Sequence, residues 1–218
     1  MTAPVLRSAE AGWAGPLWWR AGRRICEACA AFAGVIIIAS QAAGHGVLED
    51  ADRAAFAAIR SRRQPAGIVA ARWVSALAEP RLAYPAAVLA GIGAGRRTNW
   101  WRACGPVLVL GTGAAARRRL SRVIARPRPP AAAWLTDPEG FSLPSKHTTV
   151  AALTAGACVR AAGARGRGYV PSVLAAAAVG ASRVYLGVHW PGDVLAGWLF
   201  AVGWLRLTDP GKVQKGSP

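Results

Sequence analysis

Acidic residues are scarce in this chain: 10 Asp and Glu face 27 Lys and Arg, a formal charge of +17 over 218 residues. With 53% of the residues hydrophobic, that imbalance fits neither an ordinary soluble enzyme nor a disordered basic tail. Cysteines are few. Cys26 and Cys29 form a CxxC, but with Cys104 and Cys158 they supply no second pair, and no nearby His completes a zinc site. They read as small apolar packing residues toward the inner side. Simple spans of ~20 apolar residues are mostly lacking as well, since most of the apolar runs are shorter. There is no internal repeat and no visible nucleic-acid-binding fold, so the basic surplus is not read as a nucleic-acid surface. Histidine is rarest among the reactive groups: His45, His147 and His189.

Apolar runs near 28–44, 80–95, 102–117, 147–163, 169–187 and 193–207 recur with charge clusters between them. Alanine and glycine dominate the runs, which suits close helix packing in lipid. Ten tryptophans include Trp100, Trp101, Trp134 and Trp190 at run ends, where an interfacial aromatic belt belongs. A soluble alanine-rich bundle leaves the unbroken run 28–44 and those tryptophans unexplained. The pattern predicts an all-α, polytopic membrane helical bundle with about six transmembrane helices. Residues 49–79 alternate charged and apolar positions at helical period, an amphipathic helix for the outer surface.

One domain suffices: a basic N-terminal approach over 1–25, a membrane-embedded domain over 26–207, and a polar tail over 208–218. The first span reads as an uncleaved signal-anchor. With the N-terminus inside, the inner segments hold Arg20, Arg23, Arg24, Arg96, Arg97, Arg160, Arg165 and Lys212, while Glu49, Asp52, Glu79, Asp137, Glu139 and Asp193 lie outside. A multi-pass protein of the cell membrane with its long polar loop, 118–146, on the extracytoplasmic face is expected, with no protein partner required.

Three blocks carry chemistry. In Ser182–Asp193, a Ser-Arg pair is followed by His189 and, four residues on, Asp193. If the stretch is helical, His189 and Asp193 share a face and the carboxylate fixes the imidazole tautomer; alone, the pair also fits an ion pair or a metal ligand. Arg183, near the end of an apolar run, needs a polar partner, either a ligand anion or Asp193. In Pro144-Ser145-Lys146-His147, Pro-Ser suits a helix start with Ser145 as cap or first-turn residue, an anion site to which Lys146 adds charge. Six arginines occupy the twelve residues 117–128. A snorkelling charge run is the plain reading, but the prolines after Arg126 and Arg128 suit fixed bidentate phosphate contacts. His45 has no such context.

Together these blocks resemble the type 2 phosphatidic acid phosphatase family, within the membrane lipid phosphatase and vanadium haloperoxidase superfamily, whose motifs are Lys-x6-Arg-Pro, Pro-Ser-Gly-His and Ser-Arg-x5-His-x3-Asp. The third matches in full, the second except for Lys146 in place of glycine, and the first in its Arg126–Pro129 end, with Ser121 at the lysine position. Arg118, three residues earlier on the same helical face, is the candidate replacement cation. The resemblance spans 118–198. It implies a phosphatase without metal or other cofactor, acting on a lipid phosphate or polyprenyl diphosphate. His189 would be the nucleophile, Asp193 its orienter and His147 the acid and base, with Arg128, Ser145, Lys146, Arg183 and Arg118 holding phosphate. A catalytically weakened polyprenyl-phosphate binding or transport protein is the alternative suggested by Ser121; a vanadate-dependent haloperoxidase is the remoter one.

Overall fold

A computed structural model describes residues 17–43, 46–96, 100–163, 169–209 and 211. The N-terminal approach before residue 17, His45, the basic residues 164–168 and the tail beyond 211 lie outside these. Among the described residues the regular structure is helical: α1 (Leu17–Ala43), α2 (Val47–Ser61), α3 (Pro65–Ala76), α4 (Pro80–Gly95), α5 (Trp100–Ile124), a 3-10 turn (Ala131–Ala133), α6 (Lys146–Ala161), α7 (Val170–Tyr185) and α8 (Pro191–Leu207). The expected all-α architecture is the one found.

Each expected apolar run falls on a helix, but α1 begins well inside the supposed N-terminal approach. Within α1, Trp18–Ala42 is long and apolar enough to cross a membrane by length and composition. The helices α4, α6, α7 and α8 have 16 or 17 residues, and α5 ends in a run with four arginines. The amphipathic stretch is two helices broken at Arg62–Gln64. Asp52 and Phe56, one turn apart, face inward from α2, and α3 runs along α7. Proline in the first turn of α3, α4, α7 and α8 sets their starting φ where no N–H partner exists.

The helix α6 is the centre of the bundle, packing against α4, α5, α7 and α8, while α1 lies along α8. The core between them is small-residue dense: Ala83, Ala87, Leu110, Val150, Leu153, Ala157, Val179 and Ala201 are buried together. A second cluster joins Val35 and Ile38 of α1 to Leu143, Ala196 and Phe200. Backbones approach closely where a side chain is absent. A Cβ at Gly197 of α8 would lie 3.1 Å from the Ser145 carbonyl and from Thr148, so glycine brings α8 against the start of α6.

The cysteines are not packed inside as expected. Cys26, Cys29 and Cys104 are exposed and Cys158 is half-buried. They share the outward face with large apolar residues such as Ile36 and Leu108, because a bundle in lipid places apolar groups outward as well as inward.

Candidate active site

Four loop and helix-end segments meet at one end of the bundle. After α5, Ala125 takes a left-handed φ of 50°, ending the helix and turning the chain into Arg126–Pro129. The loop returns through Ser142, whose N–H donates to the Arg126 carbonyl at 2.9 Å, to α6. After α7, Gly187 with φ 82° turns the chain toward His189 and α8. A Cβ at Gly187 would collide with the Ala133 carbonyl, so both the conformation and the space call for glycine.

His189 is not on a helix. It precedes α8, with Trp190 as the N-cap and Asp193 at the third helical position. Asp193 reaches back to accept from the Trp190 N–H at 2.8 Å, as a capping-box residue does, and its Oδ2 stands 3.3 Å from His189 Nδ1. The expected pairing therefore exists through the cap, not through a shared helical face. Both side chains are fully buried. Asp193 also accepts from Ser142 Oγ, and its Oδ1 takes Arg126 Nη1 at 2.7 Å.

On the other side of the ring, His189 Nε2 faces Arg128 Nη1 at 3.1 Å. With a carboxylate at Nδ1 and a guanidinium at Nε2, the ring proton belongs on Nδ1 and the Nε2 lone pair is presented to the cation. Burial disfavours the charged ring and carries the His189 pKa down to about 4, against the hydrogen bond and charge of Asp193. The imidazole is thus neutral at physiological pH.

The arginines divide their duties in a way the sequence did not reveal. Arg126 is buried between Asp193 and Asp52, with Nη2 2.7 Å from Asp52 Oδ2. Asp52 in turn accepts from the Gly192 N–H at 2.6 Å. Arg126 is therefore a strut of the site, not the phosphate contact suggested by its proline-flanked setting. Arg128 donates to the carbonyls of Glu139, Gly140, Phe141 and Val188 as well as to His189, tying the long loop to the turn before α8.

Arg183 does not pair with Asp193. Its Nη1 donates to Ser75 Oγ of α3 at 2.7 Å, and its Nε is buried with no hydrogen-bond partner among the described residues. Arg118, the expected replacement cation, is exposed and lies in a cleft with Tyr84. The neighbouring Arg117 turns inward instead, donating to the Pro144 carbonyl at 2.7 Å and to Ser121 Oγ at 3.4 Å. The reason is helical register: Arg117 lies one full turn before buried Ser121, whereas Arg118 is rotated by 100° from Arg117 toward the α4 side.

Ser145 is the N-cap of α6, its Oγ accepting from the Thr148 N–H, and the amides of Lys146 and His147 in the first turn have no partner within the helix. Lys146 Nζ is 3.2 Å from exposed Glu139. His147 Nε2 meets Glu79 Oε1 at 2.9 Å. Burial pushes the Glu79 carboxyl up, but the hydrogen bond and charge of His147 together with Lys146 and Arg183 outweigh it and hold it below its ordinary value. Glu79, Asp52, Ser142, Ser75 and Arg117 were not selected from sequence. Only Asp52 left a signal, an acidic residue on the same helical face as Phe56.

The model of the PAP2 superfamily matches residues 102–210, a span that contains all three motif blocks. The chain belongs to the PAP2 superfamily. It is similar in structure to a transmembrane PAP2-type phosphatidylglycerolphosphate phosphatase from Bacillus subtilis, with a TM-score of 0.74 and 29% identity over 84% of this chain and 94% of that one. It shares its fold with Aquifex aeolicus LpxE, with a TM-score of 0.59 and 21% identity over 70% of this chain and 91% of that one. An undecaprenyl-diphosphatase from Sulfolobus acidocaldarius is 37% identical over 83 residues, which cover 36% of this chain and 39% of that relative's length. The family expected from the motifs is the family found.

Proposed function

We propose that this PAP2 protein is an integral membrane phosphatase that hydrolyses a lipid phosphate or polyprenyl diphosphate through a phosphohistidine on His189, without metal. The observation that carries the reading is the His189 ring held between Asp193 at Nδ1 and Arg128 at Nε2. That arrangement makes a neutral nucleophile directed at a cationic pocket.

A phosphoryl oxygen takes the Arg128 Nη1 hydrogen bond in place of Nε2, which frees the lone pair to attack phosphorus. Arg183, with its unpartnered Nε, Lys146 and the first-turn amides of α6 hold the other oxygens and stabilise the transition state. The P–O bond to the lipid breaks as the P–N bond forms. His147, supported at Nε2 by Glu79, delivers a proton to the leaving oxygen and then removes one from the water that splits the P–N bond. Inorganic phosphate leaves and neutral His189 is restored. The cationic shell supports chemistry without a metal. Arg117 beside Ser121 supplies positive charge near the position where the family motif has lysine, which favours catalysis over binding alone.

The positive-inside pattern supports a cell-membrane protein with this site on the extracytoplasmic face. The relatives' names support lipid phosphates and prenyl diphosphates alike. The test is phosphate release by detergent-purified protein from short-chain lipid phosphates and prenyl diphosphates in EDTA. Release that persists in EDTA and vanishes in His189→Ala is expected; no release from any substrate while lipid still binds would overturn the reading.

A further inference from the structure

The helix α5 has two arginine faces. Arg117 turns inward to the Pro144 carbonyl and Ser121, whereas Arg118, Arg119 and Arg122 are exposed. These three line a cleft of about 260 Å³ between α4 and α5, with Tyr84, Gly111 and Ala115. Among the described residues none of the three has a carboxylate within ion-pair distance, although Arg23, Arg24, Arg53, Arg126 and Arg206 each do. Three like charges within about one turn repel one another and are relieved by an anion.

The cleft also has an apolar continuation. Leu108 lies three residues before Gly111 on the same face of α5, and Val88 lies four residues after Tyr84 on the same face of α4. Both are exposed. Cationic head and apolar strip together match an amphiphile, not a free ion.

We propose that this cleft binds the phosphate-bearing headgroup of an anionic membrane phospholipid, with an acyl chain along Val88 and Leu108. It lies outside the residues that hold and orient His189, and it rests on the membrane reading of the fold, not on the chemistry.

The test uses the full chain in nanodiscs of mixed phosphatidylglycerol and phosphatidylcholine, followed by native mass spectrometry of retained lipid. Preferential retention of phosphatidylglycerol is expected, reduced about fivefold for each of Arg118, Arg119 and Arg122 changed to Gln. Ala115→Trp, which fills the cleft with the arginines intact, is expected to abolish the preference, and serves if the arginine variants fail to fold. His189→Ala keeps the preference, so failure of the phosphatase reading leaves this result intact. Equal retention of the two lipids, retention unaffected by both the arginine changes and Ala115→Trp, or displacement by millimolar inorganic phosphate alone would each overturn the proposal.

Discussion

At the scale of single residues, the site is governed by how each histidine is held. Asp193→Asn keeps the cap but weakens the acceptor at His189 Nδ1, so kcat falls by roughly 10²- to 10⁴-fold with KM little changed, read by phosphate release at saturating substrate. Glu79→Gln leaves a hydrogen-bonding group at His147 but removes its charge. The expected result is a kcat loss of about tenfold or more and a displaced pH profile, whereas a purely structural role would lower only thermal stability. The depressed His189 pKa also has a stability consequence. Between about 4 in the folded chain and ~6.5 when unfolded, the unfolded state binds more protons. Stability therefore rises with pH through that window and is lost as pH falls from ~6.5 to ~4. A Tm series in detergent from pH 4 to 7 checks this, and the slope should flatten in His189→Gln.

At the scale of elements, two turns and one buried strut set the geometry. Ala125 holds a left-handed φ of 50°, which costs an L-residue ~1–2 kcal/mol. Glycine has no such penalty but loses more chain entropy, so Ala125→Gly should stabilise by up to about 1 kcal/mol. A rise in Tm of a few degrees without loss of activity is the expected measurement. Arg126 joins α2 to α8 through Asp52 and Asp193. Asp52→Ala leaves Arg126 paired with Asp193 but unpairs its Nη2 and the Gly192 N–H, so it should destabilise by about 1–3 kcal/mol and lower activity through the start of α8. Thermal unfolding and kcat should fall together.

At the scale of the whole molecule, orientation is the expectation to test. In a chain with its four native cysteines replaced, Glu139→Cys should react with a membrane-impermeant maleimide from outside intact cells; labelling from the cytoplasm alone would reverse the arrangement. By itself the sequence determined the helical class, the positions of the six apolar helices, the family and the His189, Asp193 and Pro144–His147 blocks. Helical period and apolar runs are local properties, and those motifs are short stretches whose spacing is fixed by the chain. Only the tertiary structure decided which arginine serves which purpose. Arg117 faces inward and Arg118 outward by one step of helical rotation, Arg126 is neutralised by an acid 74 residues away, and Glu79 reaches His147 across 68. Those pairings depend on which helix faces pack together, and a charge in a sequence does not specify its partner until the helices have brought one within reach.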